Sequence, residues 1–402
     1  MFRCVFLTIL AATMARSRAE SFTVEGAAAR AVKSNPDLAA ARWTIEEARG
    51  RLWHSGRPAN PELETELKPN VRGREFSLSV GFTQKFPLTK RLFIERSISE
   101  VEFAVAEAEV RDAARLLKSQ VRTAAVKLLA LQSQKALYDE QRKHSSNLAD
   151  TATKIAEQGE GSPLDAAQYE LQVQDLTLKA IETETERATL LGELRPLLGL
   201  AGTASLTITG GLSAPSSPSA GASPERRADY QAALGKEAAA RSAIELARAG
   251  KWDDAGFGLA AEIERAEDAP EGLRTEGFIG LKFSLPFPFW NKNEGKIHEA
   301  AATAAKAAKQ REALAARIRA EAAAALSEME AAAKIVAQTS GPLMKKAKEL
   351  EEKYDAANKL GQAPIIDVLR SRERRFALEA ARLNALRDYH LARVRLLAAQ
   401  GQ

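Results

Sequence analysis

Two stretches of the chain alternate apolar and polar residues and then give way to long helical patterns. The apolar positions of residues 276–286 that share one face are Ile279, Leu281, Phe283 and Leu285. Those of residues 75–86 are Phe76, Leu78, Val80 and Phe82. Because successive side chains of a strand point to opposite faces, this period of two predicts strands with one apolar and one polar side. Residues 61–69 and 255–264 alternate similarly, and a charged loop over residues 266–274 is predicted to complete the second strand pair.

After each strand pair the pattern changes to long helices. Residues 90–157 contain neither Pro nor Gly, so they predict one helix of roughly 100 Å at a rise of about 1.5 Å per residue. Residues 294–360 predict a second long helix, interrupted only at Gly341-Pro342. Glycine and proline then turn the chain, and a shorter helix follows each long one, at about residues 164–198 and 365–399. The sequence therefore predicts two helical hairpins.

A shorter helical pattern also precedes each strand pair. It covers residues 21–56, with an interruption at Asn35-Pro36, and residues 228–250. The same order of elements thus occurs twice, and matching residues such as Trp53 and Trp252 are 199 positions apart. This spacing predicts a duplicated unit. The predicted parts are a first repeat, a connector rich in Pro, Ser and Gly, and a second repeat, at residues 20–199, 200–227 and 228–402.

The first nineteen residues have the pattern of a secretory signal peptide. Arg3 supplies a positive charge, residues 4–15 are apolar, and Ser17-Arg18-Ala19 offers small residues for cleavage. This apolar segment is too short to span a bilayer, which takes about 20 residues. No later stretch approaches that length in uninterrupted apolar residues, so any passage through a membrane must use strands.

Charge and cysteine content narrow the functional classes. Without the arginines of residues 1–19, the formal charge falls from +5 to +2, which removes the main support for nucleic-acid binding. The one cysteine, Cys4, lies in the same segment. The mature chain is therefore expected to have neither disulfides nor thiol chemistry. A secreted chain of this size without disulfides fits the bacterial periplasm or outer membrane.

The predicted strands and helices have the dimensions of a membrane channel. Strands of about nine to twelve residues suit a tilted bilayer crossing. Four strands cannot close a barrel around water, whereas three copies supply twelve, so a homotrimer is the simplest closure. The helices of three copies are expected to pack as a curved wall of long rods. The predicted fold is mostly α with a small β part, forming as a trimer a 12-stranded outer-membrane β-barrel on a long periplasmic α-helical barrel.

Two further sets of residues have predicted places in such a channel. The polar strand faces are expected to line the barrel lumen with Glu62, Glu64, Glu66, Glu262 and Lys282. These charges either keep the interior wet or also tune its ion selectivity. Aromatic residues at the helix–strand junctions are expected to form either a girdle at the membrane edge or a packed core. They are Trp53, Trp252, Phe287, Phe289 and Trp290.

Motifs at the element ends carry a resemblance to a known family. They are NPDLAAARWTIEEARGRL near the start, ANPEL before the first strand, QKFPLTKR after the second and FSLPFPFWNKNEGKI after the fourth. At the helical turns, QGEGSPLDAAQYELQ and YDAANKLGQAPIIDVLRSRERRF are similar to the family's G-x-x-S-x-x-D and Y-x-x-G-x-x-x-x-D-V-L signatures. With these motifs the chain resembles, over essentially all of its mature length, the TolC-type outer-membrane factors. The junction after the fourth strand is similar to the CzcC-like cation-efflux branch.

The resemblance implies a passive outer-membrane channel of a tripartite efflux or type I secretion system. In that family the helical hairpin tips meet a periplasmic adaptor protein, which links them to an inner-membrane pump of the RND or ABC type. The residues that the resemblance places at the tips are Gly159, Ser162, Pro163, Gly361 and Pro364. The barrel is expected to lie in outer-membrane lipid, and the helices are expected to extend into the periplasm.

The family also has acidic residues that line a pore constriction just past the last hairpin turn. Asp367 falls on that position, while Arg370 stands where a second acid can occur. Asp165 follows the first hairpin turn in the same way. For both carboxylates the alternative is a first-turn acid that stabilises the helix dipole.

No sequence pattern points to catalysis or to a dedicated metal site. Nucleotide-binding, nucleophile-elbow and zinc-ligand motifs do not occur, so we expect neither enzyme activity nor a cofactor. The alternative function is a periplasmic coiled-coil adaptor or structural protein. An adaptor would combine one helical hairpin with β-rich domains, whereas this chain has two hairpins and four predicted strands. The cargo, whether metal cation, drug or protein, depends on the pump and is not specified by the sequence.

Overall fold

The computed structural model describes residues 20–71, 74–159, 162–216, 223–268, 270 and 272–402, with the backbone alone of Asp268 and Ile365. The predicted signal peptide, residues 1–19, lies outside these residues. The elements up to the first helical hairpin are β1 (Glu20–Phe22), α1 (Val24–Ser34), α2 (Pro36–His54), β2 (Glu62–Pro69), β3 (Phe76–Phe86), α3 (Arg91–Glu157) and α4 (Pro163–Leu197). The later elements are β4 (Leu206–Ile208), a 3₁₀ turn (Pro224–Arg226), α5 (Ala228–Ala249), β5 (Ala255–Asp268), β6 (Gly272–Ser284), α6 (Glu294–Ser340), α7 (Pro342–Lys359) and α8 (Ile365–Ala399).

The described residues group into two compact units. The hairpin unit comprises the described residues of Met1–Ala39, Ala114–Ala222 and Ala320–Gln402. The sheet unit comprises those of Ala40–Ala113 and Ser223–Arg319. Each unit takes segments from both halves of the sequence, so the units do not coincide with the sequence repeats, whose boundaries stay a prediction.

The sheet unit holds one antiparallel sheet with the strand order β2-β3-β5-β6. The pairing of β3 with β5 joins the two strand pairs, because Phe76 lies opposite Arg265 and Phe86 lies opposite Ala255. β2 and β6 are the two edges. On the helical side of this unit α5 packs closely on α3: a Cβ atom added to Gly235 would lie 2.5 Å from Val105 Cγ2.

A buried charge network also fastens the helices of the sheet unit. Glu237 of α5 is buried and accepts hydrogen bonds from Arg311 Nε and Arg241 Nη2, both at 2.5 Å. Arg311 of α6 also donates to the hydroxyl of Tyr230 at 3.1 Å. A buried carboxylate is tolerated when charged donors of this kind surround it. The network therefore fixes α5 against α6.

In the hairpin unit, α6 and α8 pack through small and apolar residues. The shared core consists of Ala322, Ala325, Met329, Ala332, Tyr389, Ala392, Leu396 and Ala399. The α6 members recur every three or four residues, which is the spacing of a coiled-coil seam. Tyr389 also anchors the segment after β4, since its hydroxyl donates to Ser216 O at 2.6 Å and accepts from Ser216 N at 3.0 Å.

Three local predictions need correction. Residues 20–22 form a strand rather than the start of a helix, and β1 pairs in parallel with β4 across 186 positions, from Glu20 to Leu206. The predicted loop at 266–274 is shorter, because β5 continues to Asp268 and β6 begins at Gly272. Leu285 lies beyond the end of β6 and is not part of its apolar face. In each case pairing with a neighbouring strand decided the local structure.

Candidate functional site

The polar face of the sheet brings together all five residues predicted for the lumen. The register places Glu62, Glu64 and Glu66 of β2 on the same face as Glu262 of β5 and Lys282 of β6. Between them lie small or hydroxyl residues of the inner strands β3 and β5, namely Ser77, Ser79, Gly81, Thr83, Gly258 and Ala260. Gly280 of the edge strand β6 is a further small residue of this face. The face therefore combines several charged side chains with many positions of low side-chain volume.

Ion pairs and hydrogen bonds connect these charges across the strands. Lys85 Nζ lies 2.7 Å from Glu62 Oε1, and Lys282 Nζ lies 3.1 Å from Glu64 Oε2. Ser77 Oγ donates to Glu262 Oε1 at 2.5 Å. The charged side chains of these pairs are about half exposed, so solvent screens them and each pair contributes little to stability. The face is wet and charged rather than a closed salt-bridge core.

The opposite face of the sheet is apolar and exposed. Its large side chains include Leu63, Leu67, Leu78, Val80, Phe82, Phe257, Leu259, Ile263, Ile279, Leu281 and Phe283. Leu281 is 88% exposed and Ile279 is 84% exposed. A contiguous apolar surface of this kind marks a region that another apolar medium or partner covers. One residue departs from the alternation, because Phe278 lies opposite Glu262 on the polar face.

The predicted membrane-edge aromatics are exposed within the chain. Phe287 and Phe289 contact each other, with ring centroids 6.0 Å apart, and Trp290 is 99% exposed. Trp53 lies in the last turn of α2 and is also exposed, whereas Trp252 is only 37% exposed. Of the two predicted interpretations, packing in a core of this chain is therefore wrong for Phe287, Phe289 and Trp290. The girdle stays a prediction.

The first helical hairpin turns at Gly159 and restarts at Ser162. Gly159 has φ 79°, a left-handed conformation that glycine adopts without strain. Ser162 caps α4 by accepting a hydrogen bond from Leu164 N at 3.2 Å, and Pro163 occupies the first helical turn. Asp165 lies in the same turn, where its charge suits the helix N-terminus.

The second hairpin has the same construction with different capping. Gly361 has φ 68°, and its N–H donates to Asn358 O at 2.9 Å. Pro364 is the residue before α8 and makes no side-chain cap. Asp367 lies in the first turn of α8, and Arg370 Nη1 is 3.8 Å from Asp367 Oδ1. Arg370 thus stands beside the carboxylate and partly neutralises it.

A cluster that the sequence analysis did not single out joins the two hairpins. Arg375 Nε of α8 lies 2.7 Å from Glu351 of α7, and its Nη2 lies 3.6 Å from Glu140 of α3. Its guanidinium stacks on Phe376 at 4.1 Å from the ring centroid. Arg372 bridges Glu351 and Asp355 at 3.2 and 2.9 Å. Because arginines and acids are frequent on all these helices, only the packed structure shows which of them meet.

Next to this cluster lies a buried tyrosine. Tyr169 of α4 packs among Ala149, Ala152, Ala166 and Leu369, on helices α3, α4 and α8. Its hydroxyl is buried and has no hydrogen-bond partner among the described residues. Burial, and to a smaller extent the charge of nearby Asp165, raises the pKa of Tyr169 to about 12. The ring is therefore a neutral wedge between the hairpins.

Within the described part of the chain, no group of three or more His, Cys, Asp or Glu side chains is arranged to hold a metal ion. Among the helices described there, none combines the length and apolarity of a membrane span.

The chain is similar to known proteins both in sequence and in fold. Residues 27–200 match the family model described as outer membrane efflux protein. No curated protein sequence matches the chain. Among solved structures, the chain is similar to CusC, with TM-score 0.77 and 18% identity over 94% of this chain and 92% of that one. It is similar to the outer membrane protein VceC of Vibrio cholerae, with TM-score 0.75 and 17% identity over 94% and 96%.

The Campylobacter jejuni CmeC outer membrane channel gives TM-score 0.76 and 15% identity over 94% of this chain and 85% of that one. At these identities the likenesses establish the fold of the chain. The fold is that of outer-membrane channels, mostly helical with a small sheet.

Proposed function

We propose that this chain, whose residues 27–200 match the family model described as outer membrane efflux protein, is the outer-membrane channel of an efflux system. The observation that supports the proposal most strongly is the difference between the two faces of the sheet in the sheet unit. One of its faces is apolar and exposed, and the other carries ion pairs among small residues. Strands with an apolar outer face and a polar inner face are the building elements of transmembrane barrels.

Closure of that barrel requires further copies of the chain. The sheet has free edges at β2 and β6, and unpaired edges of a lipid-exposed sheet are not tolerated in a membrane. Three copies paired edge to edge form a closed barrel of twelve strands, which we propose as a homotrimer. The polar faces, with Glu62, Glu64, Glu66, Glu262 and Lys282, then line the lumen.

Transport through such a barrel is passive in this proposal, and the energy comes from partners. We propose that the hairpin ends around Gly159, Ser162, Pro163, Gly361 and Pro364 meet a periplasmic adaptor that connects to an inner-membrane pump. The aromatic residues Trp53, Trp252, Phe287, Phe289 and Trp290 are assigned to the periplasmic edge of the membrane. A metal cation as cargo, and membership of the CzcC-like branch, stay predictions from the sequence.

Membrane fractionation tests the proposed location of the protein. A matched pair of variants tests the assignment of the two faces of the sheet. Expressed with its signal peptide in a Gram-negative bacterium, the protein is expected in the outer membrane and to need detergent for extraction. Leu281→Arg places a charge on the exposed apolar face, where it costs about 2–4 kcal/mol in lipid, so outer-membrane yield should fall. Gly280→Arg is the control, because the neighbouring position faces the polar side and a Cβ atom there meets nothing within 4 Å. Release with the soluble periplasm would support the adaptor alternative instead.

Bilayer recordings test the pore constriction. Asp367→Ala is expected to change the single-channel conductance or the block by divalent cations, since it leaves Arg370 without the carboxylate 3.8 Å away. Asp165→Ala is the matched first-turn substitution in the other hairpin. Unchanged traces for Asp367→Ala, with and without divalent cations, would reduce Asp367 to a carboxylate that stabilises the helix N-terminus.

A further inference from the structure

The apolar face of the sheet has its first charged residue near the loop end of β5. Counted from Phe283 at the helical end, the strand positions of this face carry no charge as far as the row of residues before Arg265. That row consists of Leu67, Leu78, Ile263 and Gly277. The next row places Arg265 between Phe76 of β3 and Thr275 of β6. Arg265 therefore marks the limit of the uncharged apolar face.

The position of Arg265 along the sheet fits the boundary between lipid tails and headgroups. Its neighbour Thr275 lies eight residues before Phe283 on β6. At about 3.4 Å per residue and a strand tilt of about 40°, these residues span roughly 20 Å across a membrane. The apolar band of an outer-membrane barrel is about 25 Å tall. With the aromatic residues that follow β6 at the periplasmic edge, Arg265 lies at the level of the outer headgroups.

A second arginine lies close to Arg265, in the turn between β2 and β3. Arg74 is exposed and precedes by two positions Phe76, the residue opposite Arg265. Opposite residues of antiparallel strands are about 5 Å apart, and two residues of extended chain add about 7 Å along the strand. The backbones of the two arginines are therefore about 9 Å apart. Because arginine has a long side chain, both guanidinium groups can reach one ligand.

The described part of the chain does not neutralise these two cations. Arg74 and Arg265 have no ion pair or side-chain hydrogen bond with a described residue. Glu264 on β5 and Glu276 on β6 are close in sequence to the Arg265 row, but alternation directs both to the polar face. Glu267 lies on the same face as Arg265, two positions further out, and forms no ion pair with either arginine. The arginines thus lack a counter-ion among the described residues.

Phosphate is the anion that this arrangement suits best. A guanidinium group presents paired donors to two phosphate oxygens, and such charge-assisted hydrogen bonds are stronger than neutral ones. The exposed hydroxyl of Thr275, in the same row as Arg265, supplies one further donor. A ligand with an anionic headgroup and apolar tails satisfies both the arginines and the apolar rows beside them.

We propose that Arg74, Arg265 and Thr275 bind a phosphate of an anionic lipid headgroup in the outer leaflet. The acyl chains of this lipid then lie on the apolar face, beside Ile263. The proposal rests on the proposed function, because it requires this face of the sheet to meet membrane lipid. An arginine that only extends into interfacial water would not distinguish an anionic lipid from a zwitterionic one, and this distinction is what the experiment measures.

Lipid binding to the purified full-length protein in detergent tests the site. Lipid A is the phosphorylated probe and phosphatidylcholine is the zwitterionic comparison, and native mass spectrometry counts the bound lipids. Arg74→Gln combined with Arg265→Gln is expected to weaken lipid A binding roughly tenfold, since each exposed charge pair is worth about three- to fivefold. Binding of phosphatidylcholine should not change.

Arg274→Gln is the matched control for the double variant. Arg274 lies opposite Ala266 on the polar face, near the same level of the sheet as Arg265. Its substitution therefore removes a positive charge from the side that does not meet lipid in the proposed barrel. Lipid A binding should stay within about twofold of the unsubstituted protein, because a charge on the far side of the sheet acts only through screened, long-range attraction.

The outcomes separate the lipid site from the proposed function. Size-exclusion chromatography with light scattering reports the oligomeric state of each variant. A trimer from the outer membrane whose double variant binds lipid A no more weakly than Arg274→Gln overturns the lipid site and leaves the channel in place. Inorganic phosphate that displaces lipid A at equal concentration assigns the arginines to a free anion and also overturns the lipid site. Release with the soluble periplasm, or a folded monomer in detergent, overturns the proposed function and the site with it.

Discussion

Lys282 and Glu64 form an ion pair of 3.1 Å although they lie on the two opposite edges of the sheet. Their strands, β6 and β2, do not pair with each other and are separated by β5 and β3. At a spacing of about 4.8 Å between strands, the two backbones are roughly 14 Å apart, so both side chains must extend over the strands between them. Gly81 and Ala260 occupy the intervening positions of the Glu64 row. The small residues of the polar face are what makes the contact possible.

This pair leads to a prediction on ion selectivity. Lys282→Gln removes a positive charge from the polar face and should raise the ratio of cation to anion permeability, whereas Glu64→Gln should lower it. Both side chains are about half exposed, so the fold should lose no more than about 1 kcal/mol. Reversal potentials in a salt gradient across planar bilayers measure the effect. Thr65→Ser on the opposite face is the control, and equal shifts in all three variants would remove the polar face from the conduction path.

Two glycines of that face should differ in their tolerance of a side chain. A Cβ atom on Gly258 would lie 2.9 Å from Thr83 Oγ1 and 3.0 Å from Phe82 O, whereas one on Gly280 meets nothing within 4 Å. Gly258→Val should therefore destabilise the sheet by about 1–3 kcal/mol, as overpacking does. Gly280→Val should be neutral. Unfolding of the detergent-solubilised protein, followed by its heat-dependent gel mobility, measures both, and the reverse order of stability would show that crowding at Gly258 is relieved by backbone movement.

The cluster around Arg375 should stabilise the packing of the two hairpins. Arg375→Ala leaves Glu351, whose side chain is 15% exposed, with Arg372 as its remaining cation. Removing one partner of such a group costs about 3 kcal/mol. Arg370→Ala is the control: its side chain is 65% exposed and 3.8 Å from Asp367, so its loss should cost less than about 1 kcal/mol.

Denaturant unfolding with hydrogen exchange measures this difference. Faster exchange is expected in α7 and α8 of Arg375→Ala and not of Arg370→Ala. If the two variants exchange alike, the cluster contributes no more than a surface ion pair.

Tyr169 should make the hairpin unit sensitive to alkaline pH. Its pKa is about 10 in an unfolded chain and is raised by burial to about 12 in the fold. The unfolded state therefore loses the phenol proton first, so this contribution to stability is complete below pH 10 and is lost as the pH rises from about 10 to 12. Absorbance of tyrosinate at 295 nm and thermal unfolding across this range measure it.

Tyr169→Phe is the matched variant for that titration. It should remove the high-pKa component and leave stability at neutral pH equal or slightly higher, because the buried hydroxyl has no described hydrogen-bond partner. A loss above about 1 kcal/mol at neutral pH would reveal an unrecognised partner of the hydroxyl.

The sequence predicted those parts of the candidate site that follow from a local residue pattern. Alternation placed the five polar strand residues on one side, and the register of the sheet brings them to one face. Turn chemistry marked both hairpin ends, since Gly159 and Gly361 adopt the positive φ that glycine tolerates. The pore-constriction role of Asp367 and Asp165 and the adaptor role of the tips came from resemblance and stay predictions.

Contacts between residues that are far apart in the sequence could not be predicted in this way. The chain has 58 Lys and Arg and 53 Asp and Glu residues, so charge alone does not identify the partners of Arg375 or the crossing of Lys282 to Glu64. Local pattern also fails at Phe278. Alternation predicts a polar residue at this position, but the phenylalanine lies opposite Glu262 on the polar face.

The sequence by itself determined the order of elements and the two-faced strands, because each follows from a local pattern along one segment. Only the tertiary structure decided that β3 pairs with β5 and that β1 pairs with β4 across 186 positions from Glu20 to Leu206. The physical reason is that a short strand such as β1 has too little local preference to form alone. Its hydrogen bonds, like the burial of Tyr169, exist only after remote segments have packed.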